Sequence, residues 1–282
     1  MFDKSFPVSG PLDLNCEFRS GSLTVHARAE LTEARVTITP READFPVEQL
    51  FRVELTGRRL DVQERPENGG SWLQAVLGGD LRTFTRDRIF GRTEVDVLVE
   101  LPANSGVKVA VLSAAVHATG AIGPTSISSG ASDIELELVD GPLQVRGGSG
   151  SLSAQRVTGA CSVRGGSGQV RIGEVAGALS ISVGSGEVAV GTAHDTVRIR
   201  SGSGSTLIEA AERDVDIASS SGPVTIGLRA GQQARLDVAT GSGRLHTEMP
   251  MQDSRPVGDA ITIRVRTGAG DVIVRRAVPV SN

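Results

Sequence analysis

Aromatic residues are scarce in this chain. There is no tyrosine, one tryptophan and seven phenylalanines among 282 residues, which is 3%. Enzymes that cleave polysaccharides on a β-helix use aromatic platforms and clustered acids over a groove, and the scarcity of rings argues against that class. Cysteine is limited to Cys16 and Cys161, which lie far apart in sequence, so a disulfide framework is not expected. Both cysteines fit better as small buried apolar residues.

Long apolar runs and an excess of positive charge are also missing. No stretch approaches the ~18 consecutive apolar residues of a membrane span. The formal net charge is −4, and only Lys4 and Lys108 of the 29 basic residues are lysines, so nothing in the global charge favours nucleic acid. Residues 1–7 contain no apolar run of the signal-peptide type, and we therefore expect a cytoplasmic location.

The sequence contains no pattern typical of a metal site or a catalytic group. The four histidines do not share ligand spacing, and the glycine-rich segments lack the aspartate of the calcium-binding Gly-Gly-x-Gly-x-Asp repeat. Glu135 and Glu137 alternate outward on a predicted strand and are interpreted as solvated carboxylates. We therefore predict no catalytic residue, no cofactor and no metal.

A Gly-Ser-Gly triplet that returns with a constant period dominates the sequence. Ser220-Ser221-Gly222 continues the series at the same interval, and Gly241-Ser242-Gly243 and Gly268-Ala269-Gly270 follow at longer intervals. A fixed period of about 18 residues is typical of a repeat architecture, and stacked triplets would place their serine hydroxyls in a column at the turns. The regular triplets are Gly148-Ser149-Gly150, Gly166-Ser167-Gly168, Gly184-Ser185-Gly186 and Gly202-Ser203-Gly204.

Apolar residues recur at fixed distances from the last glycine of each triplet. Two pairs of positions, +2/+4 and +11/+13, alternate with polar or small residues, which is the pattern of two short strands with one buried face each. We predict an all-β, right-handed parallel β-solenoid with about 18 residues per coil. Its narrow interior would hold small aliphatic side chains such as Ile172, Ile181, Val190 and Ile199.

Residues 1–105 are predicted as an N-terminal β-rich capping region, and residues 106–282 as the Gly-Ser-Gly repeat solenoid continuous with it. The opening strands resemble one more coil, residues 44–50 a short helix, and residues 51–63 a hairpin. An inserted loop, 65–92, interrupts this region. Near the other end, 249–259 is predicted as a loop that accounts for the longest interval between triplets.

The repeated Gly-Ser-Gly-x-Val-x-Val, with a Gly-x-Leu-x-Val after it, resembles the bacterial putative-adhesin family of β-strand-repeat proteins, a domain of unknown function. The resemblance covers most of the chain and is best from about residue 101 to residue 274. It implies a β-solenoid and brings with it no reaction, ligand or catalytic residue.

Two groups of residues are candidate binding sites. An outward column at +14 carries arginines that could bind an anion, although solvated edge charges are the alternative. The inserted loop holds aromatic and basic residues that could bind a partner, or instead cover the end of the solenoid. The column comprises Arg146, Arg164, Arg200 and Arg266, and the loop set comprises Trp72, Arg82, Phe84, Arg86 and Phe90.

The repeat, with no convergent polar cluster, favours a non-enzymatic interaction or scaffold module for an unknown protein or glycan partner. Two alternatives stay open at this point. One is a carbohydrate-active enzyme on a parallel β-helix, which requires an acidic cleft. The other is a surface adhesin, which requires a route of export.

Overall fold

A computed structural model describes residues 1–42, 46–65, 94–229, 231–248 and 260–277. The chain divides into two compact units, 1–135 and 136–282. The domain boundary predicted after residue 105 stays a prediction. At this point of the chain β7 begins, at Gly106, and it pairs along its length with β2. The first unit contains β1 (Phe2–Pro7), β2 (Asp13–Arg28), β3 (Glu33–Pro40), α1 (Val47–Leu50), β4 (Phe51–Thr56), β5 (Arg59–Glu64), β6 (Val95–Pro102), β7 (Gly106–Ile122) and β8 (Thr125–Ala131).

The long strand β2 organises the first unit. Its first half pairs in parallel with β5, its second half with β6, and both halves with β7. Gly21, at φ 126°, allows the strand to bend between these halves. The prediction that the opening strands resemble a coil is therefore confirmed. Antiparallel pairs join β1 to β3 and β3 to β6.

The predicted hairpin is confirmed as the antiparallel pair of β4 and β5. The predicted helix is a single turn, which begins after Pro46 without a side-chain cap. At the end of β5, Glu64 is 7% exposed and accepts hydrogen bonds of 2.9 Å from both the backbone N and the side-chain Nε of Arg19 on β2. This pairing satisfies a carboxylate that would otherwise be costly to bury.

The second unit is a stack of coils, each made of two strands, and β9 (Ile134–Val139) leads into it. One strand of each coil belongs to the first sheet and the other to the second sheet, and all of their pairings are parallel. The first sheet comprises β10 (Leu143–Ser149), β12 (Cys161–Ser167), β14 (Leu179–Ser185), β16 (Val197–Ser203), β18 (Val215–Ser221), β22 (Ile261–Ala269) and β20 (Ala234–Ser242), in spatial order. The second sheet comprises β11 (Leu152–Val157), β13 (Val170–Val175), β15 (Val188–Ala193), β17 (Thr206–Ala211), β19 (Val224–Leu228), β23 (Val272–Arg276) and β21 (Leu245–Thr247).

The strands pair with a shift of one repeat period, as the sequence predicts. Cys161 lies opposite Leu179, and Val163 opposite Ile181. The side chains predicted to face inward are buried: Ile172 and Ile181 are 1% exposed, and Val190 and Ile199 are 0% exposed. Parallel strands buried in register fill the interior with aliphatic columns, which explains why the coils need no large rings.

The last two coils do not stack in chain order. β22 lies between β18 and β20, and β23 lies between β19 and β21. Ala269 therefore stands over Ser221, with Ser242 beyond it, so the predicted column of serine hydroxyls is interrupted. The two longer intervals between triplets, which end at Gly243 and Gly270, belong to the two coils whose order is exchanged.

Each corner of the first sheet depends on a glycine that approaches the backbone of the previous coil. Gly186 has φ 125°, and its N–H donates to the carbonyl of Ser203 at 3.0 Å. A Cβ on Gly186 would lie 1.8 Å from the carbonyl oxygen of Gly168. No side chain fits there, since both the backbone angle and the space exclude one.

Replacing Gly186 with alanine should therefore destabilise the protein, by about 2 to 4 kcal/mol, because the coils must separate and a strained φ must be occupied. Chemical denaturation monitored by circular dichroism measures this loss. Gly10→Ala is the matched control, since nothing lies within 4 Å of its Cβ position. Equal stabilities for G186A and G10A would contradict the stacking constraint.

Ile181→Asp should cost more than about 4 kcal/mol, because it places an unpaired carboxylate in the aliphatic interior. Ser182→Asp is the control, since Ser182 is exposed and points outward between Arg164 and Arg200 on the neighbouring strands. We expect S182D to melt like the parent protein and I181D to show no cooperative transition. A normal melting curve for I181D would show that the inward register is wrong.

Candidate anion-binding face

The outward side of the first sheet carries an aligned column of residues at the +14 position. Arg146 lies opposite Arg164, Arg200 lies two strands further on, and Arg266 lies two strands beyond that. Other residues interrupt the column: Ser182 lies between Arg164 and Arg200, and Ala218 and Ala239 lie on either side of Arg266. Strands are about 4.8 Å apart, so neighbouring arginine positions are spaced by about 5 or about 10 Å.

This face is basic although the protein is acidic overall. Among the outward residues of β10, β12, β14, β16, β18 and β22 there are six arginines, while Asp216 is the one acid. The whole chain has a formal net charge of −4. The positive charge is therefore concentrated on one sheet surface, where it raises the local concentration of anions. The six are Arg146, Arg164, Arg198, Arg200, Arg264 and Arg266.

The arginines of this face fall into two groups. Arg198 pairs with Asp216 at 3.5 Å, and Asp237 on β20 lies 3.0 Å from Arg264 and 3.8 Å from Arg266. Arg146, Arg164 and Arg200 are exposed, and none has a carboxylate partner among the residues that the structure describes. These three guanidinium groups keep their donors available for a ligand.

Glycines flank the three unpaired arginines on one side. The next outward positions toward the corner are Gly148, Gly166 and Gly202, while the positions on the other side are Gln144, Ser162 and Arg198. Shallow grooves of about 530 and 520 Å³ lie along the later strands, lined in part by Arg198 and Arg264 and by Arg266. Guanidinium groups that project beyond small neighbouring residues can form bidentate hydrogen bonds with carboxylate, sulfate or phosphate groups.

An alternating ion-pair network, not anticipated from the sequence, lies at another corner of the second unit. Arg156 pairs with Glu174 at 2.7 Å, and Glu174 lies 3.2 Å from His194 Nε2. His194 Nδ1 is 2.9 Å from Glu212, which also lies 2.7 Å from Arg229. The two carboxylates, Glu212 foremost, raise the pKa of His194 above 6.5. The five residues come from successive coils, so only the stacked register brings them together.

The remaining titratable candidates do not form a reactive site in the part of the chain described. Glu135 pairs with His117 at 3.1 Å. Both cysteines are free and buried, and burial raises the pKa of Cys161 to about 12, so its reactive thiolate is suppressed. Across the described ranges, no group of three or more His, Cys, Asp or Glu side chains could hold a metal ion.

The predicted partner-binding residues of the inserted loop, Trp72, Arg82, Phe84, Arg86 and Phe90, lie outside the described residues, and their role stays a prediction.

A search of the described residues for helices finds none with the length and apolar content that a membrane span needs.

Comparison with protein families finds one match. The family model described as Toastrack DUF4097 matches residues 14–275. This agrees with the resemblance to β-strand-repeat proteins of unknown function. A search of curated proteins finds no match.

Several solved structures match this chain over nearly its whole length. A putative adhesin from Parabacteroides merdae is 12% identical, with a TM-score of 0.47, over 97% of this chain and 95% of the other. A putative adhesin from Bacteroides fragilis is 11% identical, with a TM-score of 0.45, over 97% and 96%. A putative lipid binding protein from Parabacteroides distasonis is 14% identical, with a TM-score of 0.47, over 97% and 96%.

The His194 network makes stability depend on pH. Because its pKa is raised in the folded state, His194 contributes its full stabilisation below the unfolded pKa of about 6.5. That contribution is lost as the pH rises through the folded pKa. His194→Gln should therefore lower the melting temperature more at pH 6 than at pH 9. Ser153→Gln, at an exposed, non-titrating position on β11, is the control and should show no such difference. Equal shifts for H194Q at both pH values would contradict the network.

Proposed function

The chain belongs to the Toastrack DUF4097 family, and we propose that it is a non-enzymatic β-solenoid interaction module that binds an acidic polysaccharide on the basic face of its first sheet. The observation that carries the proposal is the column of three unpaired arginines, Arg146, Arg164 and Arg200. Their guanidinium groups are exposed and in register.

An extended ligand suits this column better than a small one. A single carboxylate or sulfate could bridge Arg146 and Arg164, which lie on neighbouring strands, but Arg200 is about 10 Å from Arg164. A polymer with an acidic group on successive units can contact all three. Each exposed contact contributes little, so affinity comes from several contacts made together.

The chemistry of the face favours an acidic glycan over a nucleic acid. Proteins that bind single strands combine positive charge with aromatic side chains on which bases stack. The outward residues of β10, β12, β14, β16, β18 and β22 include no aromatic ring. Sulfate and carboxylate groups need only charge and hydrogen-bond donors, which guanidinium groups supply.

A binding role is also favoured over cleavage of such a polymer. Glycoside hydrolysis uses two carboxyl groups on either side of the scissile bond, about 5 to 10 Å apart. The outward side of the first sheet carries two carboxylates, Asp216 on β18 and Asp237 on β20, with Arg264 between them. Both are engaged by arginines, Asp216 by Arg198 and Asp237 by Arg264, which favours a role in the ion pairs of the sheet over an acid–base role.

The test is binding of heparin, a sulfated polysaccharide, to the full chain and to the triple variant R146Q/R164Q/R200Q. We expect the triple variant to bind about tenfold more weakly at low salt, since it loses three exposed charge-assisted contacts. The dependence of affinity on salt should weaken in parallel, because fewer counterions are released. Isothermal titration calorimetry at two salt concentrations measures both effects.

The matched control is R171Q/R213Q/R244Q, which removes the same charge from exposed positions away from the column. It should bind heparin like the parent protein. If both triple variants lose affinity equally, the attraction is a general charge effect and the proposed face is wrong. Binding to single-stranded DNA as tight as to heparin would overturn the assignment of a glycan, and failure of the parent protein to bind heparin would overturn the function.

A further inference from the structure

The outermost coil of the second unit has an open edge. β20 pairs with β22 and β21 pairs with β23, and each has a pairing partner on one side only among the described residues. Among the described residues, no strand lies beside the other edge of β20, so the backbone N–H and C=O groups of that edge have no ladder partner there. Such an edge is a template for pairing with another strand.

The interior is also open at this coil. Ile263, Val265, Val272 and Val274, one coil further in, are all 0% exposed. Their counterparts in the outermost coil are less covered: Leu236 and Val238 are half-buried, and Leu245 is 41% exposed. The described residues therefore leave an apolar end surface beside the open edge of β20, and such a surface is suited to contact with a protein.

We propose that two copies of this chain join at this end, through antiparallel pairing of β20 with β20 of the second copy about a two-fold axis at Leu236. A two-fold axis perpendicular to both sheets would continue each of them across the interface, with β21 facing β21 of the second copy. The interface is then isologous and closed, so that growth stops at two copies.

The side chains of β20 select this register. Residues directly opposite each other in an antiparallel pair point to the same side of the sheet, so inward residues must face inward residues. With the axis at Leu236, Ala234 faces Val238 of the second copy, and Arg235 faces Asp237 of the second copy in both directions. Two opposite-charge pairs therefore form on the outward side.

The neighbouring registers, which also keep inward residues opposite inward residues, are electrostatically unfavourable. An axis at Arg235 places this arginine opposite itself, and an axis at Asp237 places the two aspartates opposite each other. Like charges directly opposite each other destabilise an antiparallel pair. The charges on β20 therefore select one register, and they select it for pairing with the same strand of a second copy.

The pairing also extends a charge pattern that the coil stack already shows. Along the outward side of the first sheet, Arg198 pairs with Asp216, and Arg264 stands beyond Asp216 and pairs with Asp237. The next position in the series would hold Arg235 of the second copy. Positively and negatively charged side chains then alternate as far as this arginine, across the interface.

The first test is the oligomeric state of the full chain by sedimentation equilibrium over a range of concentrations. We expect a reversible dimer for the parent protein. R235D places carboxylates opposite each other and should raise the dissociation constant at least tenfold. D237R should weaken the dimer in the same way, and R235D/D237R, which restores opposite charges, should recover most of the affinity. A monomeric parent protein, or a double variant no better than the single ones, would overturn the proposal.

The second test fixes the register by a disulfide across the axis. In L236C the two introduced thiols face each other at a Cα separation of about 4.5 to 5.5 Å, which a disulfide can span. Mild oxidation should convert most of the protein to a covalent dimer on a non-reducing gel. T240C is the control: its inward position lies far from the axis, so it should stay monomeric on the gel. The native cysteines are buried and do not interfere. A dimer in solution with no cross-link in L236C would overturn the register.

Discussion

The close approach of backbones at the glycine corners is the constraint on which the second unit depends. The amide of Gly186 donates to Ser203 in the next coil, and its Cα lies so near Gly168 that a Cβ is excluded. The same contact recurs at Gly204 above Gly186. Since each corner must stand over the last, the coils between Gly150 and Gly222 all have the same length. The length of the coil, in turn, keeps each outward and inward position in a column.

These columns explain how much could be predicted from the sequence. The inward register, including Ile172 and Ile181, follows from period-2 alternation that recurs in every coil, and it is confirmed. The hairpin of β4 and β5 follows from a local turn signal. The ion-pair network was missed because its members come from five coils, and because His194, Glu212 and Arg229 follow the ends of strands, where the strand pattern does not fix their positions. The chain order of the last coils was missed as well, although charge supplies a reason for it. Direct stacking of β20 on β18 would place Asp237 beside Asp216, whereas β22 places Arg264 between them.

The two charged columns differ in what they leave available to a ligand. In the column through His194, positive and negative groups alternate, so each charge is neutralised by the neighbouring coil. In the column through Arg146, Arg164 and Arg200, all charges have the same sign; Arg146 and Arg164 are direct neighbours, and Ser182 lies between Arg164 and Arg200. Like charges on neighbouring strands cost some stability, which an anionic ligand would recover. The same repeat thus supports one column that stabilises the stack and one that is suited to binding.

The exchanged order of the last two coils has a consequence for how the chain folds as it is synthesised. Coils as far as β18 and β19 can be added in the order in which the ribosome delivers them, each on the edge left by the one before. β20 and β21 emerge next, but their native neighbours, β22 and β23, do not yet exist. The native neighbour of β18 is therefore available only after β22 has left the ribosome. The last coils are completed in an order different from the order of synthesis, whereas the coils before them can follow it.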